Sequence, residues 1–165
     1  RITENKFFEV GGTFSPDGKT IVLAVQITPG VSKGWMGNAE LYLYDTDGKE
    51  LKQLTKTDST LEALPDFSPD GKKLVYHAFE HGKAGIVVMD MATGKTKELT
   101  RDDNDSRWPR WSTDGKWIAY TRTGEKGTDI WIVHPDGTGR QVFITGPTRE
   151  EIAVFGPKPV KMPAK

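Results

Sequence analysis

The sequence predicts an all-β fold built from a repeated four-stranded unit, and three observations carry that expectation. A short phrase occurs three times, as Phe14-Ser15-Pro16-Asp17-Gly18-Lys19, Phe67-Ser68-Pro69-Asp70-Gly71-Lys72 and Trp111-Ser112-Thr113-Asp114-Gly115-Lys116. Behind each copy runs a β-branched and aromatic stretch: Ile21-Val22-Leu23-Ala24-Val25, Leu74-Val75-Tyr76 and Trp117-Ile118-Ala119-Tyr120. Such composition favours strands. The copies stand 53 residues apart (Ser15 to Ser68) and then 44 apart (Ser68 to Ser112), a spacing that fits one multi-stranded unit per copy.

Each element of the unit follows from its residues. The aromatic residue closes a first strand as its last buried side chain. The phrase after it is a tight turn, in which Pro presets φ, Asp bonds its own downstream amide and Gly takes φ > 0. Asp17-Gly18, Asp70-Gly71 and Asp114-Gly115 are therefore structural turn residues. The apolar stretch is the second strand. After a loop comes a third: Leu41-Tyr42-Leu43-Tyr44-Asp45, Ile86-Val87-Val88-Met89-Asp90 and Ile130-Trp131-Ile132-Val133-His134. A Gly turn follows each (Asp47-Gly48, Thr93-Gly94, Asp136-Gly137), and a short fourth strand ends in Gln53-Leu54-Thr55, Glu98-Leu99-Thr100 or Phe143-Ile144-Thr145.

Composition narrows the function classes. The 165 residues suffice for one domain with its own core. Lys plus Arg equal Asp plus Glu at 23 each, and the basic residues are dispersed among acids without an aromatic-basic stripe, so nucleic acid is not an expected partner. No run approaches the ~18 apolar residues of a membrane span. The absence of Cys excludes disulfides, thiolate metal sites and cysteine nucleophiles. The chain opens on Arg1, which reads as processed or trimmed, with any signal peptide already removed.

Four-stranded units recurring at roughly 40–50 residues are characteristic of β-propeller blades. The phrases quoted above resemble the WD40-like PD40 repeats of the TolB family of six-bladed propellers and of the propeller domains of prolyl-oligopeptidase relatives. The third copy departs from the pattern at Thr113, which replaces Pro, and at His134-Pro135, where the other units carry Asp45 and Asp90. Arg1-Ile2-Thr3 mimics a closing Leu-Thr, and Ile152-Ala153-Val154-Phe155-Gly156-Pro157 resembles a first strand entering another turn. The expectation is three whole blades over residues 1–146 with part-blades at both ends, an incomplete propeller completed by a partner or by self-association. Residues 147–165, with Pro147, Pro157, Pro159, Pro163 and several Lys, read as an extended arm, either disordered or laid on a partner through Ile152, Val154 and Phe155.

The resemblance also sorts the loops. The tight hairpin turns share one face and are too short to hold chemistry. The longer loops, 28–38, 56–62, 79–83, 101–107 and 123–128, share the other and are the expected binding surface. Trp35 and Met36 sit at the tip of the longest, as a lid on their own blade or a partner contact. Lys33, His81, Arg101 and Arg107 on these loops complete the expected partner-binding set. Trp108, Trp111, Trp117 and Trp131 read as blade packing.

Catalytic and metal motifs fail on context. Gly30-Val31-Ser32-Lys33-Gly34 fits G-x-S-x-G, but it lies between strands and not at a strand-to-helix elbow. His77-Ala78-Phe79-Glu80-His81 fits H-x-x-E-H, but on a strand the two His would stand ~13 Å apart. Asp102, Asp103 and Asp105 are the Ca²⁺ candidates, yet no spaced Glu closes the loop, and Arg101 and Arg107 flank it. Asn104-Asp105-Ser106 is a formal glycosylation acceptor relevant only to a eukaryotic secretory setting. The expected function is a non-catalytic protein-interaction or scaffold module without cofactor or metal. From the resemblance it is expected in the bacterial periplasm or outside the cell, with other subunits or a second copy as partner. The alternatives are a propeller segment of a larger peptidase or lyase, and a small-ligand or sugar-binding propeller.

Overall fold

A computed structural model describes residues 9–28, 37–57, 59–80, 82–100, 104–124, 127–145 and 156. They form twelve strands in three consecutive units of four, which we call blades. Blade one holds β1 (Glu9–Phe14), β2 (Thr20–Gln26), β3 (Ala39–Asp45) and β4 (Glu50–Gln53). Blade two holds β5 (Leu61–Phe67), β6 (Lys73–Glu80), β7 (Lys83–Asp90) and β8 (Thr96–Thr100). Blade three holds β9 (Ser106–Trp111), β10 (Ile118–Gly124), β11 (Gly127–Val133) and β12 (Gln141–Ile144). Within each blade neighbours pair antiparallel in chain order, with Phe14 opposite Ile21, Phe67 opposite Leu74 and Trp111 opposite Ile118. One parallel pair, Ala39 with Leu61, joins the sheets of blades one and two; blade three forms a separate sheet. The first strands lie side by side, β1 by β5 and β5 by β9, so the blades are arrayed around a common inner edge.

The turn phrase forms as its residues dictate. Asp17, Asp70 and Asp114 accept the backbone N–H two residues on at 3.0–3.1 Å, and the Gly of each turn has φ of 68–70°. The conserved geometry also depends on Ser, whose hydroxyl donates to the Asp carboxylate at 2.6–2.7 Å and accepts the N–H of Thr20, Lys73 or Trp117. These bonds, the Ser contact foremost, hold the three carboxyls below the usual Asp range. Thr113 in place of Pro leaves the third turn unchanged, because the position tolerates most residues.

The core lies between blades. Val22, Ala24 and Leu41 of blade one pack on Leu61, Phe67, Leu74, Tyr76 and Met89 of blade two. Val75, Ile86 and Val88 of blade two pack in turn on Trp111, Ile118, Tyr120 and Val133 of blade three. Blade two therefore buries one face against blade one and the other against blade three. The inner strand of every blade is bulged ahead of its closing aromatic, between Glu9 and Gly11, between Ala63 and Asp66 and between Arg107 and Arg110. Leu64 and Trp108 adopt φ of 52° and 53°, uncommon for non-glycine residues, and each precedes a Pro. Gly11 answers the next blade directly, since a Cβ there would stand 2.9 Å from Leu64 Cδ2.

Candidate interaction surfaces

Two polar joints lock successive blades, and both sit at the inner edge. At the first, β3 and β5 meet at Ala39 and Leu61, and the next residue of each strand is a buried glutamate. Glu40 is 0% exposed and Glu62 4%. Glu40 Oε1 accepts the Thr57 N–H at 2.6 Å and the Thr57 hydroxyl at 2.9 Å, and Asn38 Nδ2 donates to the Thr57 carbonyl at 2.8 Å. Burial, with the Glu40 charge and the hydrogen bond to its carboxyl adding to it, pushes the Glu62 carboxyl up to about 8, against an opposing bond from Thr55. Glu62 is thus held protonated at neutral pH beside the Glu40 carboxyl. Burial and these two carboxyls also raise the Tyr76 phenol.

At the second joint Trp111 donates its backbone N–H to Asp66 Oδ2 at 2.8 Å and its indole Nε1–H to the Asp66 carbonyl at 3.1 Å. Nearby, Asp105 accepts the Ala84 N–H at 2.7 Å and pairs with Arg107 Nε at 2.6 Å, while the Arg107 guanidinium lies 5.3 Å from the Phe79 ring centre. Burial, reinforced by the Arg107 charge, drops His77 to about 4, so it is neutral at physiological pH.

Of the residues expected from sequence to meet a partner, Arg107 is described, and it is spent in large part on fixing β9 to β7 through Asp105. Both Asp105 oxygens are likewise engaged, which leaves them as a structural joint and not as cation ligands. Lys33, Trp35, Met36, His81, Arg101, Asp102, Asp103, Ile152, Val154 and Phe155 lie outside the described residues, as does the G-x-S-x-G stretch. Of the tryptophans, Trp111 packs between blades as expected, whereas Trp117 stacks on His134 with centroids 3.7 Å apart. Trp131 packs at the edge of the core between blades two and three and lies under the guanidiniums of Arg122, at 4.6 Å, and Arg140, at 5.8 Å.

A cleft opens at the end where the loops are tightest. It measures about 780 Å³ and runs between blades two and three, walled by Lys73, Lys95 and Lys97 on one side and Lys116, His134 and Asp136 on the other. The cleft is made between turns and not within any one of them, so the shortness of each turn does not limit it.

A radial array of four-stranded antiparallel blades, joined by buried polar contacts at the inner edge, defines a stretch of β-propeller. A family profile described as the TolB beta propeller domain, PD40, matches residues 1–160. The chain belongs to that family. It is 33% identical over 168 residues to a TolB homolog of Chlorobium chlorochromatii, covering 98% of this chain and 37% of that protein. The crystal structure of TolB from Acinetobacter baumannii aligns with a TM-score of 0.65 at 22% identity, over 86% of this chain and 33% of that one. A puromycin hydrolase aligns with a TM-score of 0.69 at 21% identity, over 88% and 23%. The chain spans 23%, 37% and 20% of the length of three of its matched relatives, two TolB homologs and a dipeptidyl-peptidase.

Proposed function

We propose that the chain is a non-catalytic protein-interaction module, a stretch of propeller that works by docking onto other protein surfaces in an extracytoplasmic bacterial assembly. The observation that carries this reading is an asymmetry within the repeat. Phe67 and Trp111, which close the inner strands of blades two and three, are 8% and 7% exposed because the preceding blade covers them; Phe14, at the same position of blade one, is 54% exposed. Ile21, Val25 and Tyr44 on the same face are buried, so the exposure is local to the position that a neighbouring blade-type surface covers elsewhere. A side chain of that size is costly to leave in water. Relatives named as Tol-Pal system proteins, from Francisella tularensis, support a multi-protein setting and the periplasm as its place. Among the described residues no group of three or more His, Asp or Glu is placed to hold a metal.

Sedimentation velocity on the wild-type chain and on Phe14→Ser tests the reading. Wild-type association that rises with concentration and is abolished by the substitution is the expected result. Two monodisperse monomers with equal partner capture would refute it. The second reading, a propeller segment of a larger hydrolase, is favoured by the likeness to puromycin hydrolase and to the dipeptidyl-peptidase relative. A hydrolase domain encoded in the same reading frame would establish it.

A further inference from the structure

We infer that the cleft between blades two and three is a docking groove for an acidic, extended peptide segment of a partner protein. Four lysines line it, Lys73, Lys95, Lys97 and Lys116, against two aspartates, in a chain whose charges otherwise balance. The aspartates are already committed to their own turns. Asp90 accepts the Thr93 N–H and hydroxyl, both at 2.9 Å, and Asp136 accepts the Thr138 N–H at 2.9 Å and its hydroxyl at 2.7 Å. Both carboxyls are held below the usual range by those bonds. Lys97 Nζ donates to the Asp136 carbonyl at 2.6 Å and ties the two blades' turns together across the groove. Among the described residues the ammonium groups of Lys73, Lys95 and Lys116 make no hydrogen bond or ion pair within the chain, which leaves them for a ligand.

The repeat supplies an internal control. The joint between blades one and two carries Lys49, Lys52 and Lys72 at the positions of Lys95, Lys97 and Lys116, and differs in having Thr20 for Lys73 and Asp90 for His134. The difference arises partly where the sequence breaks its own pattern, since His134-Pro135 replaces the Asp that closes the third strand of the other blades and so removes an acid from the groove. His134 stacks on Trp117, and its Nδ1–H donates to the Lys116 carbonyl at 2.9 Å, which makes that wall rigid. Lysines on the outermost strand of a blade guard against edge-to-edge pairing, and Lys95 and Lys97 fit that role. Lys116 closes the turn phrase as Lys19 and Lys72 do in the other blades, and Lys73, opposite Asp90 at the start of the central strand β6, is the lysine particular to this groove. Lys73, Lys95 and Lys97 stand on blade two and Lys116 on blade three, which suits several spaced carboxylates and not a single compact anion.

The inference rests on the interaction-module reading, and its test is independent of the native partner. The wild-type chain is titrated with a blocked Glu-Ser repeat peptide and with its Gln-Ser counterpart, followed by backbone amide NMR. The expected result is saturable shifts at Lys97, Lys116 and Thr138 with the Glu-Ser peptide alone, weakened by salt. Lys73→Glu combined with Lys116→Glu should weaken binding about tenfold or more, and His134→Asp should weaken it measurably. Lys19→Glu with Lys52→Glu, on blade one, should leave it unchanged. Equal binding by the groove variants, or shifts scattered over the surface, would overturn the assignment. Binding of pyrophosphate or of phosphatidylglycerol vesicles in place of the peptide would overturn the peptide as ligand. Failure of this titration with Phe14-dependent association intact would strike the groove alone.

Discussion

Replacing Glu62 with Gln should stabilise the protein at neutral pH, and the size of the effect follows from the seam it occupies. In the unfolded chain the carboxyl titrates at its ordinary 4.5; folded, burial and Glu40 hold it near 8. Between those values the folded state keeps a proton that the unfolded state has lost. Stability from this group is therefore fully present below about pH 4.5 and declines as pH rises toward 8, by about 1.4 kcal/mol per pH unit at most. At pH 7 the ionisable Glu costs about 3 kcal/mol relative to a neutral isostere, as an order of magnitude. Gln supplies that isostere: its amide can donate to Glu40 as the protonated acid does. Urea denaturation followed by tryptophan fluorescence, from pH 5 to pH 8.5, is the assay. The advantage of Glu62→Gln over wild type should grow from pH 5 toward pH 8 and reach about 2–3 kcal/mol at pH 7. Below pH 6.5 the stability that neutral buried His77 adds as pH rises offsets the Glu62 loss in the wild-type profile itself. At pH 5 the two should agree to within about 1 kcal/mol. Parallel pH profiles, or a variant destabilised at every pH, would refute the account of Glu62 as a carboxyl held protonated in the seam.

Other predictions bear on the remaining joints. Asp66→Ala leaves the buried Trp111 N–H without its acceptor and should cost about 1–3 kcal/mol in chemical denaturation, whereas a loss below ~0.5 kcal/mol would show that this bond does not couple the blades. Gly11→Val places a branched side chain where a Cβ already meets Leu64 at 2.9 Å, on a backbone with φ of 144°. It should lower the thermal midpoint, and an unchanged midpoint would mean that the bulge relaxes freely. Phe67→Ser should cost about 3 kcal/mol or more as a core truncation with a buried hydroxyl, while Phe14→Ser should change monomer stability by less than about 0.5 kcal/mol. Equal losses would contradict the difference in burial.

The strand order, the turns and the blade count were legible because each depends on local chemistry repeated three times. Ser-Pro-Asp-Gly between an aromatic residue and an apolar run has few ways to fold, and Thr113 could replace Pro without effect. The bulges before Gly11, at Leu64 and at Trp108 were not legible: nothing local asks Leu or Trp for positive φ, and the following Pro itself favours extended backbone at negative φ, so the adjoining blade imposes it. The Glu40–Glu62 pair was hidden for a related reason. Twenty-two residues separate them in the sequence, and a lone Glu at a strand's start reads as solvent-facing until a second blade is laid over it. The basic groove escaped notice because its lysines come from three different segments. The replacement of Asp by His134-Pro135 was the one sequence signal that could have pointed there.

The chain has no cysteine, so Phe14→Cys introduces a single reporter thiol at the position on which the interaction reading depends. The rate of its alkylation, measured in dilute solution, after assembly at high concentration or with a native partner, and in urea, tests that reading most directly. The account predicts a rate near the unfolded value when dilute and strong protection on assembly. A thiol already protected in the dilute monomer, or one that stays reactive in every assembly the chain forms, would contradict it.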